Sequence, residues 1–304
     1  GSSGTVPSGQ GMTLAQYLPA QQSLVDRTLD HWVPAETVPP QTIHKAMRYS
    51  LFAGGKRIRP VLCIAAAEAV SDSPVGVESV AITLELIHTY SLIHDDLPAL
   101  DNDDLRRGMP TCHKVFGEAM AILAGDALLT LAFEVLSRIP TTAERRAALV
   151  RELATASGTV GGMIGGQVHD LEGEGVRPTA ELLESIHRAK TGALLRASLR
   201  MGAIFAGADE EQLSALSSFG EHAGLAFQIV DDVLDVEESS ESLGKTAGKD
   251  AEQQKITFPA VYGLERSRAM AEEERLGAHL ALQSFDERAE RLRELADLIV
   301  RRKA

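Results

Sequence analysis

Apolar residues recur at three- and four-residue spacing along nearly the whole chain, and the alternating pattern of strands is absent. This periodicity predicts helices at about 14–31, 41–53, 57–71, 76–96, 114–138, 142–158, 179–206, 210–238, 251–268 and 285–302. The glycine-rich stretch 161–166 interrupts the pattern, which indicates a close approach of helices or a kink. We therefore expect one all-α domain, a helical bundle of ten or more helices.

Composition and charge narrow the class of protein. The first eleven residues are typical of an expression tag and linker, so the domain is expected to span 12–304. The chain has 30 Lys and Arg against 43 Asp and Glu, a net charge of −13, which argues against nucleic acid or an anionic membrane as partner. Cys63 and Cys112 are expected to be free thiols in a reducing compartment, which favours a cytoplasmic protein. The apolar stretch 119–136 contains two acidic residues and predicts a buried helix rather than a membrane span.

Five aspartates occur within ten positions at the end of the helix predicted over 76–96. They are Asp95, Asp96, Asp101, Asp103 and Asp104. Carboxylates are unfavourable at the C-terminal end of a helix, because the helix dipole is negative there. A divalent cation would compensate them, and oxygen ligands without cysteine favour Mg²⁺ or Mn²⁺. A solvated acidic loop is the plainer alternative.

A second acidic cluster lies within the helix predicted over 210–238. Gln228, Asp231, Asp232 and Asp235 are spaced i, i+3, i+4 and i+7, which is one face of a helix. The residues around them are strongly apolar, so we expect a buried helix whose acidic stripe faces a cavity and binds metal. Two such clusters suggest carboxylates that face each other across a bundle, with Mg²⁺ between them and a phosphate group.

Basic residues stand beside glycines or directly after the first aspartates in this acidic chain. The segments are 54–59, 106–107, 190–192 and 244–249. The first places three cations where a loop enters a helix, and free backbone N–H groups already favour anions there. Each segment alone is compatible with solvated surface, and the basic tail 301–303 is expected to be solvated. Together with the two acidic clusters, the four segments predict a site for two molecules that carry polyphosphate.

Taken in order, these segments resemble the trans-isoprenyl diphosphate synthases of the polyprenyl synthetase family, which include farnesyl and geranylgeranyl diphosphate synthases. The matching segments are 54–60, 88–101, 125–129, 166–167, 190–192, 228–235 and 244–245, and the resemblance runs from about residue 14 to the C-terminus. It implies the isoprenoid synthase fold around a central cavity. It also implies an Mg²⁺-dependent prenyltransferase that condenses isopentenyl diphosphate with dimethylallyl and geranyl diphosphate, and a homodimer for which residues 119–124 and 128–131 are a candidate contact face.

The resemblance assigns roles to individual residues. Three Mg²⁺ ions, replaceable by Mn²⁺, would be held by Asp95, Asp96, Asp101, Asp231, Asp232 and Asp235. The allylic diphosphate would be bound by Arg106, Lys190, Thr191, Gln228, Lys245 and Lys255, and isopentenyl diphosphate by Lys56, Arg59, His88 and Arg107. Gln167 would lie near the allylic cation. No protein residue is assigned as the base, because the released pyrophosphate takes that role in the family.

Product length is expected to depend on Tyr90 and Ser91, which lie one turn before the first aspartates, about 6–7 Å along the helix. A bulky Tyr90 would block the growing chain after a few isoprene units, as in bacterial farnesyl diphosphate synthases. The alternative is that Tyr90 is an ordinary aromatic residue of the core. We favour a C15 product. Segments 101–104 and 166–174 resemble the geranylgeranyl enzymes and keep C20 open, with C10 also possible.

Three other functions use parts of the same pattern. A terpene cyclase or head-to-head condensing enzyme would share the metal and diphosphate chemistry, but Lys56–Arg59 would then have no second diphosphate to bind. A non-catalytic partner subunit would be expected to lose its aspartates, and both clusters are intact. A metal phosphohydrolase would be built around His94-Asp95 and His169-Asp170.

Overall fold

The computed structural model describes residues 11–242 and 256–303, and it confirms the all-α prediction. The chain forms two compact units. Unit 1 comprises Gly1–Ile64 and Ser73–Val150, and unit 2 comprises Ala65–Asp72 and Arg151–Ala304. The expected domain over 12–304 and the facing arrangement of the two acidic clusters stay predictions.

Unit 1 is organised around its fourth helix. Its elements are α1 (Leu14–Trp32), α2 (Gln41–Leu51), the first half of α3 (Ile58–Val70), α4 (Val77–Asp95), β1 (Leu105–Arg106), β2 (Met109–Pro110), α5 (Cys112–Phe116), α6 (Glu118–Ser137) and the first half of α7 (Ala143–Ser157). Helix α4 is buried on every side from Val80 to Ile87, because nearly all of these side chains are apolar. Helices α1, α2 and α6 pack against it. The prediction of a buried helix that ends in aspartates is confirmed.

Helix α6 buries only one of its sides within this chain. Ala121, Ala124 and Leu128 are buried, whereas Ile122 and Leu123 are 46% and 53% exposed. Among the described helices, α6 alone is long and apolar enough to cross a membrane, and 39% of its apolar window is buried. The expectation of a buried helix was therefore wrong for its outer side. An apolar sequence does not tell a side that packs within the chain from one that the chain leaves uncovered.

Unit 2 is organised around a long helix that carries the second acidic cluster. Besides the second halves of α3 and α7, its elements are α8 (Met163–Gly173), α9 (Ala180–His187), a π-helical turn (Arg188–Gly192), α10 (Ala193–Ala206), α11 (Glu210–Ser242), α12 (Phe258–Tyr262), α13 (Leu264–Ala281), a 3₁₀ turn (Glu287–Ala289) and α14 (Glu290–Arg301). Helices α10, α13 and α14 pack against α11. Ile229, Val230 and Val233 are buried, as the pattern predicted.

Several boundaries differ from the sequence prediction, each for a local reason. The predicted helix over 114–138 divides at Gly117, whose φ is 89°, and the one over 251–268 is two helices separated by Gly263, whose φ is 82°. Residues 251–255 of that prediction lie outside the described residues. Strands β1 and β2 were missed because two residues are too short to show alternation.

Helix α8 was also missed, because glycine lowers helix propensity and the helix begins inside the glycine-rich stretch. The expected close approach is present there. A Cβ on Gly166 would lie 2.3 Å from the backbone nitrogen of Lys190, so α8 and the π-helical turn are in backbone contact. On the other side of the turn, a Cβ on Gly224 of α11 would lie 3.4 Å from the Cα of Gly192.

Replacing Gly166 by alanine should destabilise unit 2. Alanine favours the helix over glycine by roughly 0.5–1 kcal/mol. The clash is with backbone atoms that cannot rotate away, and overpacking of this kind costs about 1–3 kcal/mol. We expect Gly166→Ala to lower the free energy of unfolding, measured by urea denaturation.

Gly173→Ala on the same helix is the matched control. Its Cβ would meet only side-chain methyl groups, that of Ile256 at 3.3 Å and those of Ile186 and Leu182 at 3.6 Å, which can shift. We expect this variant to be as stable as the starting protein or more so. Equal stabilities for the two alanine variants would contradict the backbone contact at Gly166.

Candidate active site

The first acidic cluster is a tight loop that folds back onto the end of α4. The amide of Asp101 donates to the carbonyl of Asp95 at 2.7 Å, and the amide of Asp103 donates to the carbonyl of Asp96 at 3.0 Å. Asn102, with a φ of 54°, makes the reversal. Backbone hydrogen bonds therefore bring the later aspartates back beside the first two, which the sequence spacing did not specify.

A two-residue hairpin turn directs the paired arginines to different partners. Arg107 and Gly108 both have positive φ, of 52° and 75°, as a type I′ turn requires. Arg106, on the strand, donates to both carboxylate oxygens of Asp96 at 2.6 and 2.9 Å. Arg107, in the turn, donates instead to the carbonyl of Gly54 at 2.9 Å. The two arginines thus reach two different candidate binding loops of unit 1.

The pair between Asp96 and Arg106 joins a buried carboxylate to a partly exposed guanidinium. Asp96 is 3% exposed, and burial raises the pKa of its carboxyl while the hydrogen bond from Arg106 opposes that rise. Arg106 therefore opposes the protonation of Asp96 that burial favours. A cavity next to the pair is lined by α2, α4, the hairpin and the start of α5, including Tyr49, Thr89 and Cys112.

The basic segment 54–59 is divided between exposed and buried cations. Lys56 is exposed, and its carbonyl accepts a hydrogen bond from the side chain of Gln22. Arg59 is 8% exposed, at the start of α3. Arg57 was predicted as a third cation for an anion, but its guanidinium is buried and pairs with Glu85 at 2.8 Å. Sequence alone could not separate it from its neighbours, because all three are basic residues of one loop.

His88, Tyr90 and Ser91 lie on the last turns of α4. Burial lowers the pKa of His88 well below its usual value, and the charges of Arg59 and Arg107 lower it further, so the ring is neutral at pH 7. Tyr90 is 6% exposed, and its ring meets that of His94 edge-on at 5.6 Å. Burial raises the pKa of the Tyr90 phenol, with Asp95 adding to the rise, so it too is neutral. Ser91 is half-buried.

In unit 2, the π-helical turn presents Lys190 and Thr191 to two different helices. The Nζ of Lys190 lies 2.5 Å from Oδ2 of Asp170 on α8, a carboxylate that is 9% exposed. The hydroxyl of Thr191 donates to Oε1 of Gln228 on α11 at 2.8 Å. Single π turns are frequent at functional sites. Asp170 was considered only for the phosphohydrolase alternative and was not predicted to pair with Lys190, which it reaches because Gly166 brings α8 into backbone contact with the turn.

A chain of hydrogen bonds continues from Gln228 to the second acidic cluster. The Nε2 of Gln228 donates to Oδ1 of Asp232 at 2.8 Å, and the amide of Phe258 donates to Oδ2 of the same carboxylate at 3.0 Å. Asp232 is 5% exposed, and its carboxylate accepts the hydrogen bond of a backbone amide at the start of α12. This buried carboxylate orients Gln228, which in turn orients Thr191.

Asp231 pairs with the C-terminal tail. The guanidinium of Arg302 lies 2.7 Å from Oδ1 of Asp231, donates to the carbonyl of Phe227 at 2.7 Å and stacks on the Phe227 ring, with 4.2 Å to its centroid. Its side chain is 13% exposed, so the expectation of a solvated tail was wrong for Arg302, although Arg301 and Lys303 are exposed. The basic pattern of the tail gave no sign of the distant aromatic partner.

His187 packs beside the same cluster. Its ring packs at a tilt against that of Phe258, with 4.7 Å between the centroids, and its Nε2 lies 3.8 Å from Oδ2 of Asp232. Within the part of the chain that the structure describes, neither ring nitrogen has a hydrogen-bond partner. Burial lowers the pKa of His187 to about 3, and the charge of Lys190 adds to the effect, so the ring is a neutral contact of the carboxylate.

The remaining predicted residues are placed as follows. Gln167 and Asp235 are half-buried, on α8 and α11. Lys245 and Lys255 lie outside the described residues.

The donor set fits a hard divalent metal ion. Every predicted ligand is a carboxylate: Asp95, Asp96 and Asp101 in unit 1, and Asp231, Asp232 and Asp235 in unit 2. Among the described residues, no three His, Cys, Asp or Glu side chains come together closely enough to enclose an ion. Mg²⁺ suits such a set, since it is usually bound by one or two carboxylates and completes its shell with water and substrate phosphates.

Comparisons with known proteins identify the family of the chain. Residues 40–299 match the Polyprenyl synthetase family. The chain is 54% identical over 259 residues to Geranylgeranyl pyrophosphate synthase 12, chloroplastic, of Arabidopsis thaliana, covering 82% of this chain and 72% of that protein. It is 49% identical over 258 residues to Farnesyl diphosphate synthase of Geobacillus stearothermophilus, covering 83% and 86%. The solved structure of an FPP/GFPP synthase from Zymomonas mobilis superposes with a TM-score of 0.83 at 37% identity, covering 95% of this chain and 100% of that one.

The family match spans most of the chain, and the relatives are prenyl diphosphate synthases, enzymes of a family that uses a divalent metal. Because these relatives are prenyl diphosphate synthases, the phosphohydrolase alternative is rejected. The chain belongs to the polyprenyl synthetase family, as a trans-prenyl diphosphate synthase that acts on isopentenyl and allylic diphosphates.

Proposed function

We propose that this protein is a farnesyl diphosphate synthase, which adds isopentenyl diphosphate first to dimethylallyl and then to geranyl diphosphate and releases the C15 product. The observation that carries the chain length is Tyr90. It is a large ring, 6% exposed, on α4 one turn before the first aspartates.

Isopentenyl diphosphate is assigned to unit 1, at Lys56, Arg59, His88 and Arg107. The position of Arg107 supports the assignment, because its guanidinium lies against the backbone of Gly54 and Gly55, next to Lys56. His88 adds a neutral polar ring to these cations. A neutral ring donates or accepts a hydrogen bond without adding a further charge to a crowded cationic site.

The allylic diphosphate is assigned to Arg106, Lys190, Thr191 and Gln228, with Lys245 and Lys255 as further candidates. Each of the first four already has a defined partner within its own unit. Side chains that are held in one place bind a departing pyrophosphate without reorganising during the reaction, which is the source of electrostatic stabilisation in enzymes.

Mg²⁺ is the proposed metal, as three ions shared by the six aspartates. When bound, the metal neutralises charge on the departing pyrophosphate. The chain's own residues then orient the two diphosphates and exclude water from the allylic cation, which water would otherwise capture. The proton lost after carbon–carbon bond formation is assigned to the released pyrophosphate rather than to a side chain. The chemistry needs no nucleophilic serine or cysteine.

A geranylgeranyl (C20) product is the second candidate. The identity of 54% to a protein named as a geranylgeranyl synthase favours it, whereas the relative named as a farnesyl synthase is 49% identical. Overall identity averages over the whole chain, but product length depends on the few side chains that limit the cavity. For this reason Tyr90 outweighs the small difference in identity.

We further propose a cytoplasmic homodimer. The uncovered apolar side of α6, with Ile122 and Leu123, supports an interface between copies, because a second copy would remove it from water.

Tyr90→Ala should lengthen the product. The purified protein is incubated with Mg²⁺, isopentenyl diphosphate and each of the C5, C10 and C15 allylic diphosphates, and the dephosphorylated products are sized by mass spectrometry. We expect the unmodified protein to stop at C15 and Tyr90→Ala to continue to C20 or beyond, since the ring no longer blocks the growing tail.

Tyr90→Phe is the control, because it keeps the ring and should keep C15. EDTA should abolish condensation in every sample. A C20 product from the unmodified protein would overturn the farnesyl assignment, and an unchanged product from Tyr90→Ala would remove Tyr90 as the limit. If none of the three allylic diphosphates is extended, the assignment as a prenyl diphosphate synthase is itself contradicted.

Arg302→Gln should strengthen metal binding. Arg302 occupies one oxygen of Asp231, so it competes with a divalent cation for that carboxylate. A partly exposed pair of this kind contributes about 0.5–1 kcal/mol. We expect the dissociation constant of Mn²⁺, measured by electron paramagnetic resonance without substrate, to fall roughly two- to fivefold. Arg301→Gln, at the exposed neighbour, should have no effect, and unchanged or weaker Mn²⁺ binding in Arg302→Gln would contradict the competition.

Leu123→Glu should shift the protein toward the monomer. A buried glutamate at the proposed interface would be desolvated without a partner, which is strongly unfavourable. Sedimentation velocity should show twice the mass of one chain for the unmodified protein and a slower species for the variant. Val160→Glu is the control, at an apolar residue that is 90% exposed elsewhere in the chain. An unmodified protein that sediments as a monomer would rule out the homodimer.

A further inference from the structure

The loop before α3 has an unusual backbone. Gly54, Gly55 and Arg57 have φ angles of 111°, 123° and 58°. Glycine adopts positive φ readily, whereas a residue with a Cβ does so rarely. Such a conformation persists only where surrounding contacts over-determine it. The contacts of the Arg57 side chain are the ones that do so here.

The guanidinium of Arg57 is connected to three helices of unit 1. Its side chain is 4% exposed. Nε donates to Oδ1 of Asp26 on α1 at 2.9 Å, and Nη1 donates to Oε1 of Glu85 on α4 at 2.8 Å. Nη2 donates to the carbonyl of Leu51, at the end of α2, at 2.6 Å. Arg57 therefore points into the protein, away from any external diphosphate.

Glu85 is the buried anion of this arrangement. Its side chain is 5% exposed, whereas that of Asp26 is half-exposed, so the interaction with Glu85 is screened less by water. A buried ion pair adds little net stability compared with apolar residues of similar size. A charge in the middle of the most apolar part of α4 is therefore poorly explained by stability alone.

The position of Glu85 relates it to the isopentenyl diphosphate site. It precedes His88 by one helical turn on the same side of α4. Burial lowers the pKa of Arg107, and the negative charge of Glu85 opposes that effect. Arg107 donates to the carbonyl of Gly54 at the beginning of the loop, and Arg57, at the end of the loop, is itself anchored by Glu85. Glu85 thus pairs directly with the arginine at the end of the loop and acts through its charge on the arginine that holds the beginning.

We propose that Glu85 is a positioning residue of the enzyme, which fixes the backbone at Arg57 and thereby places Lys56 and Arg59 for isopentenyl diphosphate. Lys56 directly precedes Arg57, and Arg59 follows two residues later in the first turn of α3. A change in the φ of Arg57 would move both. The inference rests on the proposed function, which assigns Lys56 and Arg59 to that substrate.

Two variants separate positioning from stability. Glu85→Gln removes the charge and keeps an oxygen acceptor. The double variant Arg57→Met/Glu85→Leu replaces the pair with apolar side chains of similar length, which is often neutral or stabilising. Glu78→Gln, on the first turn of the same helix, is the control for loss of a carboxylate. Each variant is characterised by thermal unfolding, by steady-state kinetics with both substrates and by hydrogen exchange of the amides at 54–59.

We expect both pair variants to raise the KM for isopentenyl diphosphate about tenfold, with the KM for the allylic substrate changed less than about twofold. The double variant should keep the unfolding temperature of the unmodified protein. The amides of 54–59 should exchange faster in both, because the loop loses its anchor. Glu78→Gln should behave as the unmodified protein in all three measurements.

An unchanged KM for isopentenyl diphosphate, or unchanged exchange at 54–59, in a folded double variant would overturn the proposal. Parallel increases in both KM values together with a lower unfolding temperature would indicate a purely structural pair and would also overturn it. If Glu85→Gln does not fold, the measurements on the double variant alone test the positioning role.

Lys56→Ala distinguishes this proposal from the proposed function. If that variant keeps the normal KM for isopentenyl diphosphate, the substrate assignment fails, and the exchange rates still show whether Glu85 fixes the loop. If Lys56→Ala raises the KM and the pair variants do not, the positioning role alone fails.

Discussion

Buried charge needs a partner of opposite charge or a set of hydrogen bonds, and the geometry of this enzyme depends on how each buried carboxylate meets that requirement. Asp96 is satisfied by Arg106, Asp170 by Lys190, and Glu85 by Arg57. Asp232 is satisfied by Gln228 and the amide of Phe258. Every one of these partners lies in the same unit as its carboxylate, so each unit arranges its own part of the site.

This arrangement separates the residues that are proposed to bind substrate from the residues that hold them. Lys190 and Lys56 have the chemistry to bind a diphosphate, but neither is placed by its own backbone alone. Asp170 holds the Lys190 ammonium directly, whereas Glu85 acts on Lys56 through Arg57 and the strained loop. Both of these carboxylates are buried, with side chains that are 9% exposed in Asp170 and 5% exposed in Glu85. Burying these carboxylates costs free energy, and in return each of them restricts the position of a cation.

The sequence predicted the helical fold and both acidic clusters because each depends on local spacing. The burial of α4 follows from its uniform apolarity, and the shared face of Gln228, Asp231 and Asp232 follows from helical periodicity. Partners far apart in the chain could not be predicted in this way. Nothing in the basic segment marks Arg57 as the inward cation, since its partner Glu85 is 28 residues away. The contact of Arg302 with Phe227, 75 residues apart, left no local signal either.

The missed helix α8 shows why local propensity and tertiary requirement sometimes oppose each other. Glycine disfavours a helix, so the sequence indicated an interruption where a helix in fact begins. The absence of a Cβ at Gly166 is what allows α8 to touch the backbone of the π-helical turn. With a larger residue, Asp170 on α8 would be carried away from Lys190. The residue that weakens the helix signal is therefore the one that brings the carboxylate of this helix to its cation.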